Sequence, residues 1–180
     1  MIVEVIGSIA IGFTAGSFAL LAFGGDSLIE LISGLVVLQF LRNKSNTESE
    51  RVEKVTSLLL FALIPVIGFG AAYSYFAGVR AQGSPIGVMI AIGSVIVMPY
   101  LWYEKKKIGK ETRTVPLEID AVESITCLFM AIALLAGLLL VFLFGWWWVD
   151  YLTTGVILTF VGKEAIESYH EIRKKDSSSN

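Results

Sequence analysis

Two acidic stretches stand where acids are expensive. Asp26 and Glu30 interrupt a largely apolar run from Ser17 to Leu41. Four residues apart, they share one helix face at about 6 Å along the axis. A charged side chain near the middle of a bilayer costs roughly 2.5–3.5 kcal/mol on insertion scales. Two acids together need a compensating partner, and a cation suits their chemistry. The second stretch follows Pro116 and holds Glu118, Asp120, Glu123 and Cys127, with Ser124 and Thr126 adding polar character. Asp120, Glu123 and Cys127 fall at i, i+3 and i+7, one face of a helix. If the two helices pack side by side and antiparallel, Asp26, Glu30, Glu123 and Cys127 converge as a four-ligand set of three oxygen donors and one sulfur. Such a set suits tetrahedral zinc, and its thiolate favours zinc, cadmium or iron(II) over magnesium or calcium. Asp120 would serve as an outer or gating acid.

Plainer roles exist for the same residues. Gly24-Gly25-Asp26 also reads as a helix start with Asp26 as its cap. Glu118 and Asp120 also suit a first turn in the headgroup region, stabilised by the helix dipole. Cys127 also suits simple packing, since free cysteine is often buried. His170 reads as a solvated residue, and Lys163 with Glu167 as an i, i+4 surface pair. Glu4 is an isolated acid in the first apolar segment, either a proton-carrying site or an interfacial residue.

These residues are carried by an all-α membrane architecture. Of 180 residues 55% are hydrophobic and only 17% charged, against roughly 25% charged in soluble domains, and mean hydropathy is +0.73. One cysteine excludes a disulfide framework, and the N-terminus lacks the basic region of a signal peptide. Six apolar segments are expected as a single membrane domain over residues 1–172: residues 1–15, 17–41, 55–79, 85–103, 116–144 and 146–172. The first is short for a hydrocarbon core of about 30 Å. Pro65 predicts a kink in the third, Pro116 suits the start of the fifth, and residues 176–180 read as a disordered tail within the cytoplasmic segment 173–180. Small residues such as Ser33 and Gly34 would allow close helix approach.

Charge sets the orientation. Twelve of the fourteen basic residues fall between segments two and three, between four and five, or after six; only Arg80 and Lys163 lie elsewhere. The positive-inside rule places those regions and the C-terminus in the cytoplasm of a multi-pass protein of the inner or plasma membrane. The same rule puts Trp146, Trp147 and Trp148 at the outer interface. The basic residues follow membrane topology rather than a folded basic face, which argues against nucleic-acid binding.

The run from Thr14 through Gly16-Ser17, Ala19-Leu20, Asp26-Ser27 and Glu30 resembles the second-helix signature of the cation diffusion facilitator family. The segment from Arg113 to Cys127, with Asp120-Ala121, is similar to that family's fifth-helix opening, and the Gly145–Asp150 and Lys163–Ala165 runs to a short, transmembrane-only branch. The resemblance implies six helices, a divalent-metal site between helices two and five, and alternating access with efflux of zinc-like ions against protons. It places the second ligand pair on Glu123 and Cys127, where common zinc members carry His and Asp. The sequence departs from the family's usual pattern in the expected absence of a C-terminal cytoplasmic domain and of a His-rich loop between helices four and five, so any homodimer is expected to form through membrane helices. The transported ion (zinc, manganese, iron, cobalt or cadmium) is then substrate rather than a tightly bound cofactor. A structural or sensing metal protein and a cation channel lined by Asp26, Glu30 and Asp120 are the other readings. An enzyme is disfavoured, because no nucleophile–base pair occurs in an apolar segment.

Overall fold

In a computed structural model the described residues form six helices. They are α1 (Ile2–Ala15), α2 (Phe18–Asn43), α3 (Asn46–Phe76), α4 (Pro85–Thr112), α5 (Val115–Phe144) and α6 (Trp148–Ser178). The structure describes the backbone of residues 1–43, 46–112 and 115–178, and the side chains of residues 1–35, 55, 57–111 and 124–170. Among the described residues, four helices carry stretches long and apolar enough to cross a bilayer: Phe18–Leu35, Ser57–Phe76, Pro85–Glu111 and Ser124–Phe144. α1 is apolar but has only 14 residues.

The turns follow from local chemistry. Gly16 ends α1 in the left-handed region at φ 63°, and its N–H donates to Gly12 O, a closure that glycine makes without a Cβ penalty. Ser17 then caps α2, its Oγ accepting from Leu20 N at 3.2 Å. Ser84 does the same for α4, accepting from Gly87 N at 3.1 Å, with Pro85 in the first helical position where its missing N–H costs nothing. Gln82 N donates to Ala15 O at 2.9 Å, tying the α3–α4 connection to the end of α1.

α2 is the hub. It packs against α1, α3, α5 and α6, while α4 lies against α5 and α1, and α3 lines up on α6. Leu20, Phe23, Met98, Met130, Leu134, Ile157 and Val161 are fully buried where these helices meet. Large apolar residues on the outward faces, such as Val66, Phe69, Met89 and Ile96, are exposed, as expected when lipid rather than water is the surrounding solvent.

Glycines allow close approach, Gly24 and Gly137 among them. A Cβ on Gly24 would stand 2.9 Å from Ser8 Cβ and 3.1 Å from Ile9 N, so α2 runs against the α1 backbone there. A Cβ on Gly137 would run into Thr153 of α6. Gly34, expected at such a contact, has nothing within 4 Å of a built Cβ.

α3, α4 and α6 run well past their apolar segments. α3 begins at Asn46 rather than residue 55, α4 continues to Thr112 rather than 103, and α6 reaches Ser178, taking in three residues of the expected tail. The added turns are rich in Glu, Lys and Arg, good helix formers that extend a helix beyond hydrocarbon. Pro65 and Pro99 both lie inside unbroken helices. Hydropathy marks where the bilayer stops, not where the helix does.

Candidate metal centre

Asp26 lies well inside α2, with the helix start eight residues earlier at Phe18, and is 4% exposed. It is therefore not the helix cap; Ser17 is. Glu30, one turn further along, is 5% exposed. On α5, Ser124 and Cys127 lie one turn apart and are both buried. Ser124 Oγ donates to Glu30 Oε1 at 2.8 Å, and Cys127 is buried one turn further along the same helix. α2 and α5 thus meet face to face at Glu30. Asp26 is within electrostatic reach of Glu30, and Cys127 of both acids. Asp120 and Glu123 belong to α5, but their side chains, like that of Glu118, lie outside the described residues.

Several polar groups of this region gave weak or misleading signals in the sequence. Lys105 counted as one of a run of loop lysines, yet it lies on α4 and is only 16% exposed. Its Nζ donates to Ser124 Oγ at 2.7 Å and to Glu30 Oε1 at 3.3 Å. Glu4 of α1 is buried and accepts from Ser94 Oγ of α4 at 2.5 Å. It also lies within electrostatic reach of Asp26 and Glu30. Four helices therefore contribute a charged or hydrogen-bonding group to one interior region. Alternation of apolar residues could not reveal this, because the groups that meet come from helices far apart in sequence.

The region retains unmet bonding capacity. Glu30 Oε2 and Ser27 Oγ on α2 and Ser8 Oγ on α1 are buried without a hydrogen-bond partner among the described residues. A buried polar oxygen left unmatched costs roughly 1–3 kcal/mol. Hard oxygen donors in that condition, with a soft sulfur beside them, can take a cation. Among the described residues, however, no three of His, Cys, Asp and Glu are drawn together closely enough to hold a metal. Of the five residues expected at the site, Asp26, Glu30 and Cys127 share one buried region.

Away from this region, His170 is exposed, and Lys163 pairs with Glu167 at 3.7 Å on the surface. The tryptophans following α5 form an aromatic cluster with α3 and α6. Trp146 stacks on Trp148, Trp147 contacts Tyr75 and Tyr151, and Arg80 lies 5.7 Å above the Trp147 ring.

The buried acids Asp26 and Glu30 lie among helices of which four, among the described residues, are long and apolar enough to cross a membrane. The cation efflux transmembrane domain family matches residues 1–174 of the chain, and the protein belongs to that family. It is a multi-pass membrane protein of a class that transports divalent cations. Among curated proteins, no relative matches the sequence.

Proposed function

We propose that the protein exports a zinc-like divalent cation in exchange for protons, through a site between α2 and α5. Asp26, Glu30, Glu123 and Cys127 are the ligands, and Asp120 is an outer acid on the path. The observation that carries this reading is the hydrogen bond from Ser124 of α5 to Glu30 of α2, with Asp26 and Cys127 buried one turn away on their respective helices. Metal and protons compete for the same carboxylate and thiolate atoms, because each ligand binds metal only when deprotonated. That competition supplies the exchange. Protons arriving from outside displace the ion, and their loss to the cytoplasm restores the ligands.

Orientation follows from the lysines and arginines, with the C-terminus in the cytoplasm of the cell membrane and the tryptophan cluster at the outer face. Homodimers, where they form, use the lipid-facing helices.

Flux into proteoliposomes under an imposed proton gradient tests the reading. The parent is expected to carry zinc with saturation, and Asp26→Ala to lose that flux at matched insertion. Undiminished flux of zinc, manganese and iron by Asp26→Ala removes Asp26 from the site. Non-saturating flux at channel rates replaces the carrier with a pore.

A further inference from the structure

An ammonium group already stands on the carboxylate that the proposed function assigns to the metal. Lys105 Nζ reaches Glu30 Oε1 at 3.3 Å and Ser124 Oγ at 2.7 Å, while Ser124 Oγ itself donates to the same Oε1 at 2.8 Å. The three groups come from α4, α2 and α5 and close a triangle around one oxygen. Lys105 is 16% exposed and the Glu30 side chain 4%, so the charge pair is largely withdrawn from solvent. In such surroundings one opposite charge weighs far more than at a surface. The lysine stem is long and flexible, and the residues after it on α4 continue as a polar helix to Thr112. The ammonium therefore has somewhere to go: its tether lets it swing from Glu30 toward the polar end of the helix. Glu30 Oε2 has no hydrogen-bond partner among the described residues, leaving the carboxylate half engaged.

We infer that Lys105 is a tethered competitor for the transported cation: it holds Glu30 while the site is empty and is displaced when a divalent ion binds. The inference rests on the proposed metal site. Lys105 balances the Glu30 carboxylate with no proton and no ion from solution, so Glu30 is not left as an uncompensated buried charge beside Asp26 on the same helix. It also weakens metal binding, because the ion must first displace a cation that cannot diffuse away. A carrier that has to release its cargo gains from that weakening; a site that only stores metal does not.

Two measurements test this on purified protein in detergent, with zinc chloride as the probe. The first uses the unaltered chain. A water-soluble amine-acylating reagent is applied with and without zinc, and Lys105 modification is read by mass spectrometry with the surface residue Lys163 as internal control. Zinc is expected to raise Lys105 modification several-fold and leave Lys163 unchanged. Unchanged or reduced Lys105 labelling in protein shown to bind zinc overturns the inference. The second is calorimetric titration of zinc into Lys105→Gln and Lys105→Arg. Removing the charge is expected to tighten zinc binding by about tenfold or more, and Lys105→Arg to stay within a few-fold of the parent. Equal or weaker binding by Lys105→Gln overturns the inference, while the parent's binding leaves the metal site standing. A parent that binds no zinc overturns the site itself and the competitor with it.

Discussion

Ser17 Oγ donates to Asp150 Oδ1 at 2.5 Å, joining the first residue before α2 to the first turn of α6. The other carboxylate oxygen of Asp150 accepts from Phe18 N at 2.8 Å and more distantly from Ala19 N at 3.4 Å. An acid from one helix thus satisfies the exposed N–H groups of another, at the positive end of its dipole. α2 carries Asp26 and Glu30, so this contact sets how the site helix hangs from its neighbour. Asp150 is 1% exposed, and the cap forms where water cannot substitute.

Replacing Asp150 by alanine leaves the α2 N–H groups and Ser17 without their acceptor. The expected loss is about 1–3 kcal/mol of stability, seen as a lower thermal midpoint in detergent. Asp150→Asn is expected to recover part of it, since an amide oxygen still accepts. An unchanged midpoint for Asp150→Ala removes the cap from the account.

At the α5–α6 crossing, Gly137→Ala drives a methyl group into Thr153, whose Cβ and Cγ2 already stand 3.0 Å from the built atom. Overpacking of this kind costs roughly 1–3 kcal/mol. The same thermal melt is expected to show a drop for Gly137→Ala and partial recovery for Gly137→Ala combined with Thr153→Ala. Additive losses in the double variant contradict the steric explanation.

Cys127 brings the single sulfur of the proposed ligand set. Cys127→Ser keeps the volume close and replaces a soft donor with a hard one. Cadmium affinity is expected to fall by about tenfold or more while manganese affinity changes little, measured by competition titration. A parallel loss for both ions makes Cys127 a packing residue rather than a ligand.

Acidification is expected to weaken zinc binding, because protonated carboxylates and thiol must release their protons before they can ligate. The sign is fixed: affinity rises with pH across the range in which the ligands titrate and levels off once they are ionised. Calorimetry in buffers of different ionisation enthalpy reads the protons released per zinc. Binding that neither releases protons nor varies with pH contradicts exchange at a shared site.

Much of the fold was legible in the residues, and the reasons are physical. Apolar segments long enough for lipid have few alternatives to helix, and Gly16, Ser17 and Pro85 mark turns that each need those residue types. Asp26 and Glu30 stood out because acids in apolar runs demand a partner. Lys105 did not, since a lysine in a basic run looks like topology until the helix is seen to continue past residue 103. Asp150 was hidden in the same way: beside three tryptophans it reads as interfacial, and only the packing of α6 on α2 reveals an acceptor for another helix's N-terminus. Glu4 was visible as an oddity, but its partner Ser94 lies ninety residues away. Long-range pairing of single polar residues leaves no periodic trace.

Metal-edge anomalous diffraction from zinc-soaked crystals tests the central claim most directly. The account predicts one peak between α2 and α5, with Asp26, Glu30 and Glu123 oxygens at about 2.0–2.2 Å and the Cys127 sulfur at about 2.3 Å. A zinc peak elsewhere, with none beside Asp26 and Glu30, contradicts it.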